Sequence, residues 1–268
     1  ETHRALSGVE SSVAWSRLYS GIQFQAEALT ALAQGIATKQ RAQFLREAGP
    51  LIAAGDVKAL AALRFSAFGE YQAAFMSLLQ SWSDANRAEM LAEIRSQVGA
   101  GWKPRPEPET FYAELSEIVE TQAASLAKII DEDWQKRVRE VSLTEASGLN
   151  QVSVVKELPM PTQTWVKQGT QATTQVANLT REEVARVEGP PINSATYSAI
   201  MDRVTCRNCK ALDGKVFKFG SPEYIKNRPP LSNCLSTLGP YGNVCRCIYA
   251  YRFASETGEG GGSGFEQN

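Results

Sequence analysis

Apolar residues at Ile22, Ala26, Leu29, Ala33 and Ile36 recur every three or four positions, which puts them on one helix face with Gln and Lys opposite. This texture runs from about Ser11 to Gln97 and divides into four predicted helices. Gly49-Pro50 is expected to end the first. Asp56 is placed to cap the second, in which Val57, Leu60 and Leu63 form a short stripe. Tyr71, Phe75, Leu78, Leu79 and Trp82 mark the third. Ser83-Asp84 reads as the cap of a fourth, carrying Met90, Leu91 and Ile94. Stripes of this kind are packing surface rather than cofactor boxes.

Three prolines within Lys103–Pro108 break the pattern and predict a linker. Beyond it, Leu115, Ile118, Leu126, Ile129 and Val138 line one side of a helix from Phe111 to about Val141. At ~1.5 Å per residue that helix exceeds about 40 Å. Residues 162–188 are rich in Thr and Gln and read as a polar, mobile arm. It contains one short helix starting at Leu179, with Thr180 as cap and Glu183 closing a capping box. From Asn193 the texture changes: Tyr197–Met201 reads as helix, while Lys215–Phe219 and Ile248–Phe253 alternate like strands. Leu212-Asp213-Gly214-Lys215 supplies a turn, and the Gly-rich stretch Glu256–Asn268 a solvated tail.

The expected fold is therefore mainly α: an elongated helical N-terminal region followed by a small α+β C-terminal zinc-knuckle domain. Its parts are a helical region (1–100), a proline-rich linker (101–108), a long helix with its polar arm (109–188), a metal-binding domain (189–253) and a tail (254–268).

Composition narrows the chemistry. The 268 residues are 43% hydrophobic and 21% charged, too apolar for wholesale disorder. No run of about 20 apolar residues predicts a membrane span, and no basic stretch leading into an apolar core predicts a signal peptide. The single histidine, His3, stands near one end, so histidine-dependent hydrolase, deaminase and multi-histidine metal chemistry is not expected. Charge balances over the chain, with 28 Lys/Arg against 29 Asp/Glu. It does not balance locally. Nine Lys/Arg stand against three Asp/Glu between Met201 and Phe253, which leaves the remainder at −7.

All five cysteines fall in that basic stretch, at Cys206, Cys209, Cys234, Cys245 and Cys247. Cys206-Arg-Asn-Cys209 has the spacing of a metal knuckle, in which two thiolates reach one ion. Cys245-Arg-Cys247 is its return half. The spacing favours a closed, structural Zn²⁺ site; reduced thiols packed as small hydrophobes and a redox or disulfide pair are the other readings. Cys206, Cys209, Cys234 and Cys245 form the preferred ligand set, with Cys247 as the alternate. Cys245 and Cys247, two apart in an extended segment, point the same way, so both can approach one ion with Cys234 displaced.

The string Tyr197-Ser-Ala-Ile-Met-Asp202-Arg-Val-Thr-Cys206-Arg-Asn-Cys209-Lys-Ala-Leu-Asp213-Gly214-Lys-Val-Phe217, with Pro229-Pro230 and Asn243-Val-Cys245-Arg-Cys247, resembles a phage head-morphogenesis domain. This is the minor head protein family typified by the F protein of phage Mu. The resemblance covers roughly positions 190–253. The family pattern carries a histidine after Pro-Pro; here Cys234 stands in its place, and an insert through Leu235–Gly242 precedes Cys245. More weakly, the N-terminal helices resemble the region preceding this domain in portal-associated or portal-fused minor head proteins.

The resemblance implies a virion structural protein without catalytic residues, located inside the head near the portal and in the host cytoplasm during assembly. Its implied partners are the portal or major capsid protein, in several copies per particle, with a role in DNA packaging or ejection and no membrane contact. Arg203, Arg207, Lys210, Lys215 and Lys218 are candidate non-specific contacts to packaged DNA. The competing expectation is a zinc-knuckle nucleic-acid-binding protein with a regulatory role outside any particle.

Overall fold

The computed structural model describes residues 9–148, 153–199, 205–231 and 245–254. A long helical region precedes a small C-terminal region that carries a three-stranded sheet and a cysteine cluster. The helices are α1 (Val9–Ala54), α2 (Val57–Ala62), α3 (Phe68–Val98), α4 (Phe111–Gly148), α5 (Ser153–Glu157) and α6 (Thr162–Val187). After them come β1 (Ile192–Ser198), α7 (Arg207–Leu212), β2 (Val216–Lys218), α8 (Pro222–Lys226) and β3 (Ile248–Phe253).

Helical periodicity becomes burial along α1, where Leu18, Ile22, Ala26, Leu29, Ala33, Ala37, Phe44, Ala48 and Ile52 are all buried. Gly49-Pro50 does not end this helix. Pro50 lies inside it, at the cost of one backbone hydrogen bond, and the burial of Ala48 and Ile52 on either side holds the last turn to the core. Asp56 does cap α2, its Oδ1 accepting from the Ala59 amide at 3.0 Å. Ser83-Asp84 opens no new helix. Ser83 sits buried mid-way along α3, its hydroxyl 2.9 Å from that of Thr180.

Thr180 belongs to α6, which corrects the expectation of a mobile arm with a short helix. Residues Thr162–Val187 form one continuous helix, and Thr170, Thr173, Thr174, Asn178, Thr180 and Arg181 are buried in it. Such polar residues tolerate burial when their side chains bond locally. Thr170 donates to the Val166 carbonyl at 2.8 Å, Thr173 to that of Gly169 at 2.9 Å and Asn178 to that of Thr174 at 3.0 Å. At Gly169 the helices touch: a Cβ there would lie 3.2 Å from the Ala26 carbonyl oxygen of α1.

α1, α3, α4 and α6 enclose one core, in which Trp134 and Trp165 meet edge to face at 6.0 Å. The Lys103–Pro108 segment is non-helical, as expected, and fastened to the end of α6. The Arg105 amide donates to the Glu188 carbonyl at 2.9 Å, and Arg87 pairs with both Glu107 and Glu188.

The sheet order is β2-β1-β3, with both pairings antiparallel. Tyr197 and Ser198, expected in a helix, lie in the central strand β1, because β1 is paired on both sides; Met201 falls outside the described residues. The register puts Ile248 and Ala250 on one face, and both join the helical core. Ala195, Tyr197, Tyr249 and Tyr251 occupy the other face. They share a second core with Met90, Ile94, Phe111, Leu115, Val184, Cys206, Cys209, Cys245 and Cys247. Among the described residues, no helix is long and apolar enough to cross a membrane.

Candidate metal centre

The cysteine cluster is assembled by two short pieces of chain meeting over Tyr197. The first is α7. Cys206 caps it, its Sγ accepting from the Cys209 amide at 3.4 Å, which sets Cys209 one turn inside the helix. Asp213 ends the helix, and its Oδ1 accepts from the Ala199 amide at 2.8 Å. Gly214 then reverses the chain with φ +77, a left-handed conformation that suits glycine, and its amide bonds the Tyr197 carbonyl at 2.9 Å. Cys206 and Cys209 are thereby fastened to the end of β1. The second piece is the irregular run Cys245–Cys247 that leads into β3.

Cys209, Cys245 and Cys247 come together here. Their Sγ atoms all lie within 4.8 Å of one another, and all three residues are buried. The Cys209 and Cys245 sulfurs are 3.9 Å apart. Four thiolates at about 2.3 Å from a tetrahedral ion stand about 3.8 Å from each other, so the separation fits a shared ion. Three buried cysteines can thus hold a metal. Cys206 is buried beside them without belonging to the close triplet. Cys234 lies outside the described residues. Cys247, the alternate in the sequence reading, stands inside the triplet, its approach following from the two-residue spacing to Cys245.

Electrostatics explains why such a cluster favours a cation. The Cys209 bond to Cys247 draws its thiol pKa down, but the Cys245 bond and burial outweigh it and hold the thiol well above the ordinary value. Burial, followed by the neighbouring Cys247, Cys245 and Cys209, pushes the Tyr197 hydroxyl up as well. Clustered negative charge in a low dielectric is unfavourable, and a divalent ion reverses that balance by stabilising thiolates. Tyr197 already directs its hydroxyl to the cluster, donating to Cys209 Sγ at 3.6 Å and lying 3.9 Å from Cys245 Sγ. Such outer partners orient thiol ligands.

No family model, no curated protein and no solved structure matches this chain. The site stands on its own geometry.

Of the candidate DNA contacts, Arg207 and Lys210 are exposed on α7, Lys215 beyond it and Lys218 on β2. Among the described residues none of these four is ion-paired. Arg203 lies outside the described residues. Sequence reasoning missed Asn178, whose Nδ2 reaches the Cys247 carbonyl from α6 at 3.1 Å. Its signal was hidden in a Thr/Gln-rich segment read as an arm.

Proposed function

We propose that this chain is a phage minor head protein that works by contact rather than turnover, inside the head and near the portal. One observation carries the reading: elements of the string that resembles the head-morphogenesis family each have a physical task in one cluster. Cys209, Cys245 and Cys247 form the triplet, Tyr197 addresses it, and Asp213 and Gly214 fasten the knuckle to the sheet. That convergence of separate motif elements supports the reading.

In this reading the ion is a structural Zn²⁺ held by Cys209, Cys245 and Cys247, with Cys206 or Cys234 completing four thiolates. A four-thiolate site has no open position, which suits a clamp rather than a catalyst. The ion ties α7 to the segment entering β3, two pieces joined to a sheet of only three strands. The helical region then serves as the scaffold that docks on portal or major capsid protein.

Purified particles test the proposal. Mass spectrometry and reconstruction should find the chain in the head, at the portal vertex, in several copies. Absence from washed particles would overturn the reading and favour a regulatory role elsewhere.

A further inference from the structure

A row that carries two cations crosses the sheet. The register sets Lys218 opposite Ser194 and Ser194 opposite Arg252, one residue from each strand. Directly paired residues of antiparallel strands project to the same face. Two cations therefore flank one hydroxyl, with the outer backbones about 10 Å apart across two strand spacings. A bulge at Asn193 accompanies this arrangement: Ile192 pairs with Phe253 and Ser194 with Arg252, so β1 carries one residue more than β3.

Among the described residues the two cations meet no carboxylate within ion-pair distance. Lys218 and Arg252 are exposed and Ser194 half-buried. Among the described residues neither cation is ion-paired, whereas Arg87, Arg137, Arg181, Arg186 and Arg228 all are. The next row on this face, Val216–Thr196–Ala250, carries no charge. Lys215 stands exposed just beyond it. Asp213, the nearest acid to β2 along the chain, is engaged with the Ala199 amide.

We propose that the Lys218–Ser194–Arg252 row binds the phosphates of a nucleic-acid backbone. A guanidinium fork, an ammonium and a hydroxyl are all donors to phosphate oxygens. The row offers no aromatic ring for stacking on bases, so it contacts backbone and discriminates little between sequences. Charge complementarity selects this occupant. The inference rests on the head-protein reading only for the source of the nucleic acid, packaged DNA.

Fluorescence anisotropy on the metal-loaded full chain tests it, with unrelated duplexes across a salt series. The double variant Lys218→Gln/Arg252→Gln should weaken every duplex alike. It should also lower the slope of log affinity against log salt by about 2, one unit for each lost phosphate contact. Lys39→Gln/Lys128→Gln, exposed on α1 and α4, should leave the slope unchanged. An unchanged slope in the Lys218/Arg252 variant, or no duplex binding at low salt, would overturn the proposal. So would polyglutamate displacing duplex at equal charge, which would mark an acidic protein as the occupant. Presence in particles with an unchanged slope overturns the row alone; a lowered slope with absence from particles overturns the head reading alone.

Discussion

Asn178 Nδ2 donates to the Cys247 carbonyl at 3.1 Å, joining the buried face of α6 to the segment that carries two of the clustered thiols. The same amide nitrogen also bonds the Thr174 carbonyl one turn back, which fixes the side chain's direction. The cysteine cluster is thus registered against the helical core by a side chain as well as by packing. Asn178→Ala leaves the Cys247 carbonyl without this donor and should cost about 1–3 kcal/mol in denaturant unfolding. It should also speed metal loss to a chelator. Wild-type stability and loss rate would show that packing alone sets the register.

Asp131 organises the connection between α2 and α3. Its carboxylate accepts from Gln40 Nε2 at 2.9 Å, the Ala67 amide at 2.9 Å, Ser66 Oγ at 2.6 Å and Gln135 Nε2 at 2.7 Å. Asp131→Ala strips an acceptor from several groups in or near the core and should destabilise the chain by about 3 kcal/mol or more. Asp131→Asn, which keeps one oxygen, should cost less. Thermal unfolding of the two variants side by side measures the difference.

The approach of α1 to α6 depends on Gly169. A methyl at this position meets the Ala26 carbonyl oxygen at 3.2 Å and Ala26 Cα at 3.4 Å, backbone atoms that move only with the helix. Gly169→Ala should therefore destabilise by about 1–3 kcal/mol despite alanine's better helix propensity, and Gly169→Val by more. Equal or higher stability in the alanine variant would show that the helices part freely.

Acidic groups along α6 give stability a defined pH dependence. Burial raises the Glu182 carboxyl above its ordinary 4.5, with Arg228 pulling the other way. Burial likewise raises Glu188 against the opposing bond from Arg87. The folded chain keeps these protons to higher pH than the unfolded chain, so their contribution falls as pH rises from about 4.5 through the raised values. Glu182→Gln, which mimics the protonated form, should flatten the stability profile just above pH 4.5. A profile matching the parent's would remove Glu182 from the account.

How much of this was legible in the sequence depends on which residues carry the buried face. α4 and the first half of α3 were readable because Tyr71, Phe75, Leu79, Leu115, Leu126 and Val138 are apolar at helical spacing and are buried, whereas the false break in α3 came from Ser83, a buried residue that bonds Thr180 instead of capping. Asp56 and Gly214 were readable because capping and left-handed turns demand particular residues. α6 was not, since its buried Trp165, Val176, Ala177 and Val184 are interleaved with Thr and Asn, whose side chains bond backbone carbonyls one turn back. β1 was misread at Tyr197 because its strand character comes from partners 20 and 52 positions away, Val216 on Thr196 and Tyr249 on Tyr197, rather than from local preference. The thiol triplet was half legible: the two-residue spacing allowed Cys245 and Cys247 to approach one ion, whereas placing Cys247 rather than Cys206 beside Cys209 and Cys245 needed the fold.

The central claim is that the clustered cysteines hold a metal that pins the C-terminal region, and elemental analysis of the gently purified chain tests it most directly. The account predicts about one zinc per chain, lost on Cys209→Ser, Cys245→Ser or Cys247→Ser together with order in the sheet. Cys206→Ser and Cys234→Ser should differ, and the one that loses zinc supplies the fourth thiolate. A folded chain without metal, its sheet intact, would contradict the account.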